Sequence, residues 1–191
     1  MENEKEQDCR KKFLEDRFFA ASWDAASERN NVWRDEYKDH KDDKHTNERT
    51  AFLSQLKIKA QEMLKVYEKA TPSEEQHIKN IQILKDFSKN VEIKQKNVTV
   101  IMKNKLNIGT VQKLFNLLCK YHWCAGWIQE PPHLPIDRDM LDAIKSRTVW
   151  THLDSIDEYK KLISKFKEKS KKDPSGSLAQ WELKEWSDRR E

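Results

Sequence analysis

An amine and a carboxylate in the middle of the chain stand where helices could hold them for chemistry. They lie in residues 106–144, LNIGTVQKLFNLLCKYHWCAGWIQEPPHLPIDRDMLDAI: Gly109 opens the run, Lys113 follows early in an apolar helix, and Asp137 begins another helix after the loop PPHLP. An amine partly withdrawn from water gives up its proton more readily and becomes a nucleophile. A carboxylate fixed nearby on a rigid element can balance developing positive charge. Without such a partnership, the same two residues read as a surface lysine in a first helical turn and an N-cap aspartate.

The order of these parts (glycine turn, lysine-bearing helix, loop, Pro-x-Asp, helix) resembles the core of the helix-hairpin-helix DNA glycosylase superfamily, in particular its 8-oxoguanine branch. The resemblance covers about 40 of the 191 residues. It implies an enzyme that flips a damaged or modified base out of double-stranded DNA and cleaves its N-glycosidic bond, in repair or in defence against phage DNA. Asp137, in Pro135-Ile136-Asp137, matches the aspartate that stabilises the sugar cation. Lys113 matches the lysine that attacks the anomeric carbon and leaves a Schiff base in the bifunctional members. No four-cysteine cluster is present, so the resemblance is to the cluster-free branches and implies no cofactor and no metal. Two departures stand out. Asn107-Ile108-Gly109 keeps only the second glycine of the usual Gly-x-Gly hairpin. Lys113 follows that glycine by four residues rather than two, which turns it by about 200° around a helix and leaves open whether it faces Asp137.

In the same resemblance a base pocket needs stacking surfaces and polar groups for the base edge. Trp127, next to Gly126 in a loop, and Trp123 are the candidate platforms; Gln112, Asn116 and His133 are the candidate edge readers. Tryptophan near a helix end also serves as ordinary core. Five lysines lie between Lys89 and Lys105 against a single acid, Glu92. With a hairpin at 106–110, Lys103, Lys105, Asn107, Gly109 and Thr110 would grip the DNA backbone, with amides facing a phosphate.

Three other constellations compete. Cys119, His122, Cys124 and His133 have zinc-ligand types, but the two cysteines are five apart on one helix and point to different sides. Val91-Glu92-Ile93-Lys94 has the Glu-x-Lys form of a metal-dependent nuclease strand, which needs a central mixed sheet and Mg²⁺. His40 and His45, with Asp39, Asp42 and Asp43, lack an apolar shell for a metal.

The elements that must position these residues are helical. Charged residues make up 37% and hydrophobic ones 36%, with three glycines and five prolines, too few turn residues for an all-β fold. Seven tryptophans argue for an ordered core. The expectation is a single all-α domain of about seven or eight helices, with a minor β-hairpin near 91–102. Phe13, Leu14 and Phe18 set a helical stripe that extends toward Trp23 in a possible N-terminal cap, residues 1–49. An amphipathic helix is expected at about 50–69. Thr71-Pro72-Ser73-Glu74, Ser155-x-x-Glu158 and Ser177-x-x-Gln180 read as helix starts. His77 reads as a half-buried packing residue.

Charge is uneven. Residues 1–49 carry 11 Lys/Arg against 14 Asp/Glu, and residues 50–191 carry 26 against 19, so the part with the central stretch is basic. Three cysteines in no framework spacing, with no signal peptide and no apolar run near 18 residues, describe a reduced, cytoplasmic, soluble protein, expected as a monomer. A glycosylase-like enzyme on double-stranded DNA is the favoured function. A non-catalytic helical module binding nucleic acid or protein through its basic face is the alternative, with the Mg²⁺-dependent nuclease third.

Overall fold

The computed structural model describes residues 2–30, 32–35, 43–93, 96–97, 102, 106–171, 173–174 and 176–189. The fold is all-α. Its helices are α1 (Glu2–Ser27), α2 (Asp43–Leu64), α3 (Glu74–Asn90), α4 (Ile108–Cys124), α5 (Arg138–Ala143), α6 (Ile156–Ser170) and α7 (Leu178–Asp188). A two-stranded antiparallel ribbon, β1 (Glu92–Ile93) with β2 (Lys96–Asn97), lies inside the expected 91–102 hairpin and pairs Glu92 with Asn97. No helix among the described residues is long and apolar enough to cross a membrane.

The spine is α4. Ile108, Val111, Leu114, Phe115, Leu118 and Cys119 are all buried, so this helix is covered on most of its surface. α1 runs antiparallel along it: Phe18 near the middle of α1 stacks on Tyr121, with ring centroids 5.2 Å apart, while Asn30, just past α1, hydrogen-bonds Thr110 at the other end of α4. The inward edge of α1 is Phe19, Ser22, Trp23 and Ala26, at i, i+3, i+4 and i+7. The expected stripe is corrected accordingly: Phe13 is 57% exposed and Leu14 points outward too. Trp23, Trp33 and Phe52 form an aromatic knot, centroids 5.7–6.2 Å apart, that ties α1 to α2. Trp33 also forms an isolated antiparallel bridge with Met102.

Helix starts follow local chemistry. Ser155 and Ser177 cap α6 and α7 through their hydroxyls. α3 begins two residues later than Thr71-Pro72 suggests, with Ser73 as its cap, and Thr71 instead donates to the Glu130 carbonyl at 3.0 Å. α2 reaches back to Asp43, well before residue 50. A Glu-x-Lys nuclease strand has no sheet to sit in: β1 has two residues and, among the described residues, pairs only with β2. Lys94 lies outside the described residues, as do His40, Asp39 and Asp42.

Candidate active site

The start of α4 decides where Lys113 points. Asn107 is its N-cap: the Oδ1 atom accepts from the Thr110 amide at 2.9 Å and from the Thr110 hydroxyl at 3.0 Å. Gly109 therefore lies within the first turn of the helix, and the expected hairpin is absent. Its amide donates to the Leu153 carbonyl at 2.7 Å, and the Val111 amide to the Asn107 carbonyl at 3.1 Å. With the Thr110 amide also satisfied, the amides of Gly109, Thr110 and Val111 are not left facing a phosphate; that expectation for Gly109 is corrected. The glycine answers a different need. A Cβ on Gly109 would sit 1.8 Å from the Trp150 carbonyl oxygen, so only glycine lets residues 150–153 lie this close to α4.

This close approach places the Trp150 ring beside the next turn of α4. Lys113 Nζ is 4.6 Å from the Trp150 ring centroid and 3.7 Å from Asp137 Oδ2, with 13% of the lysine side chain and 30% of the aspartate side chain exposed. Asp137 is pinned by its other oxygen, since Oδ1 accepts from the Met140 amide at 3.1 Å and caps α5. The structure thus brings the two residues together, and one aspartate is both helix cap and partner of the amine. Burial pushes the Lys113 ammonium below its ordinary value, Asp137 opposes that shift, and the nearby Arg29 charge reinforces it. The arrangement supplies an amine that holds its proton less tightly than a free lysine, a carboxylate held beside it, and an aromatic wall.

A buried polar scaffold sets the aspartate. Gln112 clamps Ile136 from both sides: its Nε2 donates to the Ile136 carbonyl at 2.7 Å and its Oε1 accepts from the Ile136 amide at 3.0 Å. Asn116 Nδ2 donates to the Leu134 carbonyl at 2.8 Å. Because a carbonyl can only accept, Asn116 Oδ1 faces His77 Nε2, at 2.7 Å, and that nitrogen carries the proton. His77 Nδ1 then accepts from the Tyr67 hydroxyl at 2.7 Å. On the other side Tyr159 Oη, which takes a bond from Asn116 at 3.2 Å, lies 2.9 Å from His133 Nδ1. His77 is held neutral, its pKa pushed down to about 4 chiefly by burial.

Gln112 and Asn116 are therefore buried positioning residues rather than base-edge readers, because their polar groups are occupied by the 134–136 backbone, His77 and Tyr159. His133 is buried with Nδ1 on Tyr159, while its Nε2 has no hydrogen-bond partner among the described residues and lies 3.9 Å from Glu74 Oε2. His77 is fully buried, a hydrogen-bonded member of this scaffold. Trp127 does not join the site. It packs against Phe18 (5.5 Å) and His122 (5.4 Å) beyond the far end of α4, eleven residues of helix, roughly 16 Å, from Lys113. Trp123 is half-buried against the core. Lys103 and Lys105 lie outside the described residues. Cys119 is buried and Cys124 exposed, and among the described residues no group of three or more His, Cys, Asp or Glu is placed to hold a metal.

Sequence reasoning missed Trp150, Arg29 and the second ion pair. Lys120, two turns along α4 from Lys113, meets Glu182 of α7 at 2.7 Å and lies 5.1 Å from the Trp186 ring centroid. Burial raises the Glu182 carboxyl above its ordinary range, against the pull of Lys120. The shared face of Lys113 and Lys120 was legible from their spacing; their acidic and aromatic partners come from distant helices and carried no local signal. A surface groove of about 590 Å³ between α3 and α6 holds none of these residues. Compared with protein families, curated proteins and solved structures, the chain matches none.

Proposed function

We propose that the protein is a DNA glycosylase-like enzyme in which Lys113 and Asp137 form the reacting pair. The observation that carries this reading is the 3.7 Å approach of Lys113 Nζ to Asp137 Oδ2, with the other aspartate oxygen fixed in the α5 cap. An ion pair on a protein surface is commonplace, but here only 13% of the lysine side chain is exposed, on a helix covered over most of its surface, and burial favours the neutral amine. The neutral amine directs its lone pair at the anomeric carbon of a flipped nucleotide. As the N–C1′ bond forms, the base leaves with the electrons of the N-glycosidic bond and takes up a proton. Asp137 stabilises the positive charge on the sugar in between. Ring opening then gives a Schiff base between Lys113 and the sugar.

The experiment is an abasic-site assay in EDTA on duplexes with damaged or modified bases and on phage DNA with natural or modified cytosines. Alkali-labile sites that vanish in Asp137→Asn, with a borohydride-trapped adduct that vanishes in Lys113→Ala, support the reading. Alkali-labile sites that persist in Lys113→Ala assign the attack to water with Asp137 alone. Salt-sensitive DNA binding without any cleavage in the full panel favours a binding module instead.

A further inference from the structure

A polar pocket of about 550 Å³ lies at the start of α4, lined by Arg29, Asn30, Val32, Asn107, Thr110, Thr151 and His152. Among the described residues its wall holds an arginine, a histidine, neutral polar groups and one valine, and no carboxylate. Among the described residues Arg29 has no acidic partner. Its charge instead acts on the Lys113 ammonium, so two cations share this corner of the protein, one of them paired with Asp137. Like charges held together are costly unless an anion joins them. The pocket is also continuous with the reacting pair through the backbone: Trp150 supplies the ring beside Lys113, and the next two residues, Thr151 and His152, line the pocket.

We infer that this pocket takes a backbone phosphate of the nucleic acid, next to the nucleotide presented to Lys113. The inference rests on the glycosylase reading for the identity of that nucleotide, and it replaces backbone amides with side chains as the phosphate grip. The amides of Gly109, Thr110 and Val111 are already bonded within the protein. The Thr110 hydroxyl is engaged by Asn30 and Asn107, and the Asn107 amide by the Thr151 carbonyl at 2.5 Å. These bonds make a rigid cup, from which the Arg29 guanidinium offers the fork of donors that fits two phosphate oxygens. His152, exposed at the rim, is placed to add one more donor.

The test uses the full chain and a short duplex carrying an abasic-site analogue. A neutral methylphosphonate replaces each phosphate near the lesion in turn, and binding is measured across a salt series. One linkage is expected to weaken wild-type binding by about tenfold when neutralised, Arg29→Gln to cost about the same, and the two together to cost no more than either. The slope of log Kd against log salt falls by about one in Arg29→Gln and is restored in Arg29→Lys. Losses that add at every linkage, an unchanged slope in Arg29→Gln, or no duplex binding at low salt would each overturn the pocket. So would inorganic phosphate held through Arg29 by a protein that ignores the duplex. Because Arg29 is exposed, its variants keep the fold, which circular dichroism checks. Abasic-site formation in the same samples separates the two ideas. Excision with an unchanged slope rejects the pocket alone; a reduced slope with no excision by wild type rejects the glycosylase reading alone.

Discussion

Gln112 grips Ile136 by both backbone groups, donating to its carbonyl at 2.7 Å and accepting from its amide at 3.0 Å, and Ile136 immediately precedes Asp137. One side chain of α4 therefore sets the strand-like segment that delivers the carboxylate to Lys113, one residue further along the same helix. Both ends of the candidate pair are referenced to a single turn of α4. That relationship gives the amide a consequence that simple burial would not have.

Replacing Gln112 with Met keeps the volume and leaves the Ile136 amide and carbonyl without partners. Each orphaned buried group costs about 1–3 kcal/mol, so a loss of roughly 2–6 kcal/mol in urea unfolding is expected. At temperatures where the variant stays folded, the borohydride adduct at Lys113 should form more slowly, since Asp137 loses its anchor. A Gln112→Met protein as stable as wild type would show that the clamp is not what holds the segment.

The buried histidines make stability depend on acid. In the unfolded chain His77 titrates near the ordinary 6.5, whereas in the fold it stays neutral down to about 4. Between those values the unfolded state binds the extra proton. Stability is therefore fully present above about pH 6.5 and falls as pH drops toward 4, by up to roughly 3 kcal/mol from His77 alone. His133 is depressed in the same direction, by burial first and then by the charges of His77 and Lys167, which steepens the loss. Urea melts at a series of pH values check this, and His77→Gln, whose amide can still donate to Asn116, should flatten the curve. Stability that stays constant or rises on acidification would contradict a neutral buried pair.

How much of this was legible depended on whether the deciding contact was local. Ser155 and Ser177 could be read as caps because the cap bond closes within three residues. The burial of α4 could be read because Val111, Leu114, Phe115 and Leu118 surround it with apolar surface. Asn107-Ile108-Gly109 could not, since asparagine before a helix and asparagine in a hairpin look alike. The Trp150 carbonyl, some forty residues on, decides between them by pressing against Gly109. The same holds for Gln112 and Asn116: amides on an apolar helix suggest a ligand, and only the return of residues 134–136 shows that the protein itself is what they bind. Lys113 and Asp137 were legible as types in order, but their meeting depends on the helix beginning at Ile108, which fixes the rotation of Lys113 about α4.

Gly109→Ala is a sharp test of that close approach. In a free helix alanine is favoured over glycine by about 1 kcal/mol. Here the new Cβ would lie 1.8 Å from a backbone oxygen and 3.0 Å from the carbon behind it, with no flexible side chain to yield. The sign should reverse, lowering Tm by roughly 2–8 °C, because an overpacking cost at the upper end of about 1–3 kcal/mol exceeds the propensity gain. A raised Tm would mean that the 150–153 turn can move away from α4 without penalty.

The proton on Lys113 offers the most direct reading of the site. Three influences act on it: burial lowers its pKa most, Asp137 raises it, and Arg29 lowers it. Condensation of the amine with a preformed abasic-site aldehyde needs the neutral form, so the trapping rate should climb with pH and level off below the pH at which a free lysine would, near 10.4. Asp137→Asn removes the attraction and should move the limb to lower pH, with a smaller plateau because the carboxylate that steadies the cationic intermediate is gone. Arg29→Gln removes the repulsion and should move the limb to higher pH. Trapping rates from about pH 6 to about pH 10 with all three proteins measure these shifts. Limbs that move the same way in both variants, or that stay at the free-lysine position in wild type, would mean that Asp137 and Arg29 do not act on the amine as opposed charges.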